Sequence, residues 1–364
     1  MSRVLILLLI LQSPLWAQNE QGGESFWDTQ YYSGVLLRHN KNFAHLVTDH
    51  PKGFIFSFNK RTNGEKYWQQ AYNYPDWGFS FLHQDFGNSV LEQNYGVYAH
   101  INFYFLNRNL QLRLAEGIAY NTNPFDLETN FKNTAYGTSL MGSTYIMLNY
   151  RKENLIKGLG LQTGITIVHH SNGSFKAPNL GSNVLALNLG LSYNFNHDTP
   201  IEYVERLPEN DFSEKIKYNI LLRGGVNEGE YFNLGQHPFI VLSLFADKRI
   251  NYKSTIQLGM EVFYAKFLEK EIDYVAISFP SRGLSGDEDF KRLGIFVGHE
   301  FRLGNFALPI QTGYYIYRPY EYETRVYSRV GLKRYFTDTF FGVATIKAHA
   351  FNAEAIEFGL GIRL

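Results

Sequence analysis

The sequence predicts an all-β fold, an antiparallel transmembrane β-barrel of about 14 strands, within a range of roughly 12 to 16. Three observations carry this. Segments of about ten residues with alternating apolar and polar side chains recur along the whole chain, separated by turns. After the N-terminus no stretch approaches the ~20 apolar residues that a membrane-spanning helix needs. Aromatic residues reach 16%, with 26 Tyr and 30 Phe, an excess suited to the aromatic girdles of a membrane barrel. Lys+Arg and Asp+Glu both number 34, so no net charge draws the chain to nucleic acid. Cysteine is absent, which removes disulfides, a thiol nucleophile and a lipidated N-terminal cysteine from consideration.

The elements follow in order. Residues 1–17, with Arg3, an apolar run from Val4 to Leu11 and the small Ala17, have the layout of a cleaved signal peptide. Residues 18–364 then form a single outer-membrane β-barrel domain. Strands are expected over 77–84, 95–105, 110–120, 138–150, 158–170, 184–195, 217–225, 238–247, 252–264, 290–303, 306–317, 325–335, 339–349 and 355–364. A further hairpin is expected over 32–39 and 53–60. Tight connections such as Asn107-Arg108-Asn109 and Gly304-Asn305 alternate with longer ones such as 121–137, 171–183 and 265–289. Short periplasmic turns and long outer loops are the habit of outer-membrane barrels. This places the 171–183 loop at the cell surface. The polar stretch 196–216 breaks the pattern, being long where a short turn is expected. No Pro/Ser-rich linker divides the chain.

The segment that carries chemistry runs from Ile165 to Asn183. Side chains alternate across a strand. Leu159, Leu161, Thr163, Ile165 and Ile167 share one face; Gly160, Gln162, Gly164 and Thr166 share the other. The apolar face of a barrel strand looks at lipid, and the same count puts His169 and Ser171 on that face and His170 inside. On the returning strand Leu185, Leu187, Leu189 and Leu191 set the lipid side, and Asn183 falls with them. Polar groups against hydrocarbon are costly. An imidazole two residues from a hydroxyl on one strand face is the arrangement of an activated nucleophile. Asn183 can orient the ring as the third member of a triad does. Asn172 and the amides of the Gly173-Ser174 turn can stabilise an oxyanion. A nucleophile facing lipid implies a substrate held in lipid, and the outer leaflet offers lipopolysaccharide.

The run His169-His170-Ser171-Asn172-Gly173, followed by Pro178-Asn179-Leu180-Gly181, resembles the active-site segment of the lipid A 3-O-deacylases, the acyloxyacyl hydrolase-like outer-membrane barrels. A looser likeness extends through Glu116-Gly117-Ile118-Ala119-Tyr120. The resemblance implies an esterase of the outer membrane that removes a 3-O-linked acyl chain from lipid A. His169 matches the base, Ser171 the nucleophile, and Asn172 with the following amides the oxyanion hole. It implies no cofactor. Two departures stand out. Asn183 occupies the place where the best-known members carry a glutamate, and no acid lies between Ser171 and Asp198. The small family barrels have eight strands, fewer than this chain has room for.

The rival from another class is a non-catalytic porin-like or structural barrel, which a wide, charge-lined lumen would favour. A soluble secreted β-sandwich is the third reading. His39, His45, His50, His83, His100 and His299 lack metal-ligand spacing, so no metal site is expected. The acidic tip Asp287-Glu288-Asp289 and Lys176 read as solvated loop residues.

Overall fold

The computed structural model describes residues 24–199, 201–207, 212–350 and 352–364; the expected signal peptide lies outside them. Sixteen strands close into two barrels of eight. The first holds β1 (Ser25–Leu36), β2 (Lys52–Lys60), β3 (Asp76–Asp85), β4 (Gln93–Phe105), β5 (Leu110–Asn121), β6 (Leu140–Ile156), β7 (Leu159–Ser171) and β8 (Ser182–Asn194). The second holds β9 (Lys217–Asn227), β10 (His237–Arg249), β11 (Ser254–Ala265), β12 (Arg292–Leu303), β13 (Phe306–Tyr317), β14 (Val326–Tyr335), β15 (Phe340–His349) and β16 (Asn352–Arg363). A short helix α1 (Tyr67–Ala71) precedes β3, and α2 (Lys266–Ser278) lies between β11 and β12.

The all-β antiparallel barrel is as expected. The single barrel of about 14 strands is not: two closed barrels of eight replace it. Hairpin pairing is local and identical in either arrangement. What differs is the closing pair, β1 with β8, in the register Phe26↔Asn194 to Leu36↔Val184, and β16 with β9, in the register Phe358↔Gly224 to Arg363↔Asn219. Alternation along a strand says nothing about which distant strand it meets. The anomalous polar stretch 196–216 is thereby explained, because it joins one closed sheet to the next.

An eight-stranded barrel has an interior just wide enough for side chains to fill, and each lumen is filled. In the first, Arg113 is fully buried, donating to Asp28 Oδ2 (2.6 Å), Ser57 Oγ (2.7 Å) and Asn59 Oδ1 (3.0 Å). In the second, Arg329 bridges Glu357 (2.5 Å) and Glu261 (2.8 Å), and Arg223 joins Glu261 (2.9 Å). Lys333 pairs with Glu300 (2.7 Å) beside a cavity of about 10 Å³, room for about one water. These charges are matched inside the wall rather than lining a wide channel. The outer walls carry the apolar and aromatic side chains: Tyr31, Phe54, Phe56, Phe79, Phe81 and Tyr95 are all exposed on β1–β4.

Candidate active site

The alternation expected for β7 and β8 is present. Leu159, Leu161, Ile165 and Ile167 are exposed, as are Leu185, Leu187, Leu189 and Leu191. His169 lies on that outward face, half-buried, while His170 is fully buried. The register pairs His169 directly with Asn183, and cross-strand neighbours of one face are within side-chain reach. The His169 Nδ1–H donates to Asn183 Oδ1 at 2.8 Å. A carboxamide oxygen only accepts, so Nδ1 carries the proton and Nε2 keeps its lone pair.

Ser171 ends β7 opposite Gly142 of β6 and is 9% exposed. Its hydroxyl lies against the carboxamide of Asn179, 3.1 Å from Oδ1 and 3.0 Å from Nδ2. Asn179 Oδ1 also accepts from the Asn172 backbone N–H (2.8 Å). One side chain therefore fixes both the serine oxygen and the peptide after it. Sequence reasoning gave Asn179 no role, because it lies in a loop where strand parity has no force.

The loop bearing Asn179 is pinned from several sides. The backbone N–H groups of Leu180 and Gly181 donate to the carbonyls of Thr134 and Ala135, each at 3.1 Å. His39 Nε2–H donates to the Leu180 carbonyl (2.9 Å), and Tyr136 Oη and Ser182 Oγ are 2.5 Å apart. Gly181 turns the chain into β8 with φ +66°, a left-handed conformation that suits glycine. A Cβ there would stand 3.3 Å from Ser171 Cβ and 3.5 Å from His169 Cε1. The bare α-carbon of Gly181 thus packs against both Ser171 Cβ and the edge of the His169 ring.

Of the oxyanion candidates, Asn172 stays with this group. Gly173 and Ser174 belong to a short segment, Gly173–Ala177, that groups with the second barrel. Ser174 Oγ there donates to the Ala353 carbonyl (2.5 Å). Next to Asn183 on the outer wall lies an apolar groove of about 390 Å³, lined by Ser33, Val35, His50, Ile165, Leu185 and Leu187. Val35 pairs with Leu185, two residues from Asn183. Among the described residues no group of three or more His, Asp or Glu is placed to hold a metal ion.

Residues 52–192 match the family described as lipid A 3-O-deacylase (PagL), and residues 216–364 match the acyloxyacyl hydrolase C-terminal domain. The two matches fall one on each barrel, and the first contains the His169 region. Among solved structures, the chain is similar to the outer membrane enzyme PagL, with TM-score 0.31 and 15% identity over 45% of this chain and 97% of that one. A Rh. blastica porin aligns with TM-score 0.19 and 8% identity over 93% of this chain and 99% of its own. The Acinetobacter baumannii outer membrane protein Omp33 aligns with TM-score 0.19 and 7% identity over 94% of this chain and all of its own. No curated protein sequence matches.

Proposed function

We propose, for a chain that belongs to the lipid A 3-O-deacylase family and is an outer-membrane β-barrel protein, that its first barrel hydrolyses a 3-O-linked acyl ester of lipid A from the lipid-facing wall. The observation that carries this reading is the outward His169, tautomer-fixed by Asn183 at 2.8 Å, with Gly181 packed against both the edge of its ring and Ser171 Cβ.

The chemistry follows from these positions. The Ser171 hydroxyl turns from Asn179 Oδ1 toward His169 Nε2 and gives up its proton as Oγ attacks the ester carbonyl. The carbonyl oxygen becomes negative and needs a donor. Asn179 Nδ2, already 3.0 Å from Oγ, is best placed to supply it, ahead of Asn172, Gly173 and Ser174. The ester C–O bond breaks, and the sugar oxygen leaves with the proton held on His169. Water, deprotonated by the same imidazole, then attacks the acyl-serine and releases the fatty acid. Atoms balance without a cofactor. The groove beside Asn183 offers the acyl chain an apolar seat on the outer wall, continuous with the bilayer.

The test is mass spectrometry of lipid A from a host that makes the 3-O-linked ester and expresses either the parent chain or Ser171→Ala. Loss of one acyl chain with the parent alone is expected. Lipid A left unchanged by the folded parent chain would overturn the reading.

A further inference from the structure

The His169 site has a neutral third member. When the imidazole takes the serine proton it becomes a cation, and the Asn183 carboxamide can orient that cation but cannot neutralise it. Strands β5 to β8 contain only two acids, Glu116 and Glu153. Glu153 is ion-paired with Arg61 (3.0 Å) and Arg151 toward the other end of β6. Glu116 is different. It is an exposed carboxyl on the outward face of β5, where hydrocarbon makes a charge costly.

The register places this residue with the site. Glu116 pairs with Thr144, Thr144 with His169, and His169 with Asn183. The four residues form one row on one face of four adjacent strands. The Thr144 hydroxyl donates to Glu116 Oε2, so the carboxylate is turned along the row toward His169. Two strand spacings separate the Glu116 and His169 backbones, about 10 Å, and the glutamate side chain shortens that gap.

We propose that Glu116 is a positioning residue for the hydrolysis, supplying through Thr144 the negative charge that position 183 lacks. This rests on the Ser171–His169 reading above. Glu116 acts in its ionised form and exchanges no proton. Thr144 holds its carboxylate in line, and the charge favours the imidazolium formed in the acyl-transfer step. Asn183 fixes the tautomer from one side of the ring, and Glu116 stabilises the charge from the other. The two tasks of one triad acid are split between two residues on different strands.

The experiment measures fatty-acid release from lipopolysaccharide carrying 3-O-linked chains, using the full-length chain in mixed micelles. Glu116→Gln is expected to lower kcat about tenfold with KM unchanged, the size of effect a unit charge exerts at this range in a medium less polar than water. Thr144→Val, which keeps the charge but frees it, is expected to lose less. The discriminating variant is Glu116→Gln combined with Asn183→Glu, which puts a carboxylate directly on His169 Nδ1. It is expected to regain most of the lost kcat, and removing the Glu116 charge should cost far less in the Asn183→Glu background than in the parent, whereas a merely structural role would cost the same in both. Glu116→Leu, suited to a lipid-facing site, gives a second uncharged variant should glutamine disturb folding. Parent-like kcat in folded Glu116→Gln and Glu116→Leu, with Ser171→Ala inactive, would overturn this proposal and leave the parent reading standing. Full activity in Ser171→Ala would overturn both.

Discussion

Gly181→Ala tests the geometry of the proposed Ser171–His169 pair without touching either of its polar groups. Two costs come from the structure. An alanine at φ +66° pays about 1–2 kcal/mol for the left-handed conformation. Its methyl group would also stand 2.9 Å from the His170 carbonyl oxygen, where ordinary contact begins near 3.4 Å. That carbonyl belongs to the peptide linking His170 to Ser171, so a retreat of about 0.5 Å carries the serine with it; a misplacement of 1 Å can cost 10²-fold in rate. The expected result is about a tenfold fall in kcat with the barrel still folded. Gly142→Ala is the control. It lies opposite Ser171 on β6, its φ is not positive, and its methyl would be 3.5 Å from the Ser171 carbonyl oxygen, so kcat should stay within about twofold. The assay is initial-rate release of fatty acid, with folding checked by unfolding in urea. Parent-like kcat in Gly181→Ala, or equal losses in both variants, would refute the pairing of Ser171 with His169 beneath Gly181.

Other outcomes follow from the same structure. Asn179→Ala removes the side chain fixing Ser171 Oγ and the Asn172 amide; if it is also the oxyanion donor, kcat in the release assay should drop about 10²- to 10³-fold. Arg329→Met leaves Glu261 and Glu357 short of a partner in the second lumen. Breaking a buried pair from one side costs about 3–5 kcal/mol, and retention of hydrogen bonds to Glu261 from Arg223 (2.9 Å) and Tyr327 (2.8 Å) points to the lower end; urea unfolding of the second barrel reads this. In α2, burial pushes the Glu271 carboxyl up to about 7 despite a hydrogen bond from Tyr320. An acid raised above its unfolded value stabilises fully below that value and loses the contribution as pH rises through the folded one. Hydrogen-exchange protection of α2 should therefore fall between about pH 5 and 7, and Glu271→Gln should flatten the profile.

Strand positions and faces were legible because alternation is local. The parity that puts His169 and Asn183 on one wall needs only a count along β7 and β8, and their pairing follows from the hairpin. Barrel closure was not legible. β1 meets β8 through ladder bonds between residues far apart in the chain, and nothing in either strand encodes the partner; only the odd polar stretch 196–216 hinted at a break. Asn179 escaped because its contact with Ser171 depends on a loop held by Thr134, Ala135 and His39, three places the linear pattern does not connect. Glu116 was visible as a residue but not as a neighbour. Its place beside Thr144 and His169 exists only once three strands are in register.

Separate closure has a consequence for how the molecule tolerates change. A strand wall that meets itself leaves no open edge for a neighbouring sheet to complete, so backbone pairing in each half is settled inside that half. Cutting or lengthening the chain within residues 195–216 removes no rung from either ladder. The ladder of the half bearing His169 and Ser171 is complete without a strand from the other half.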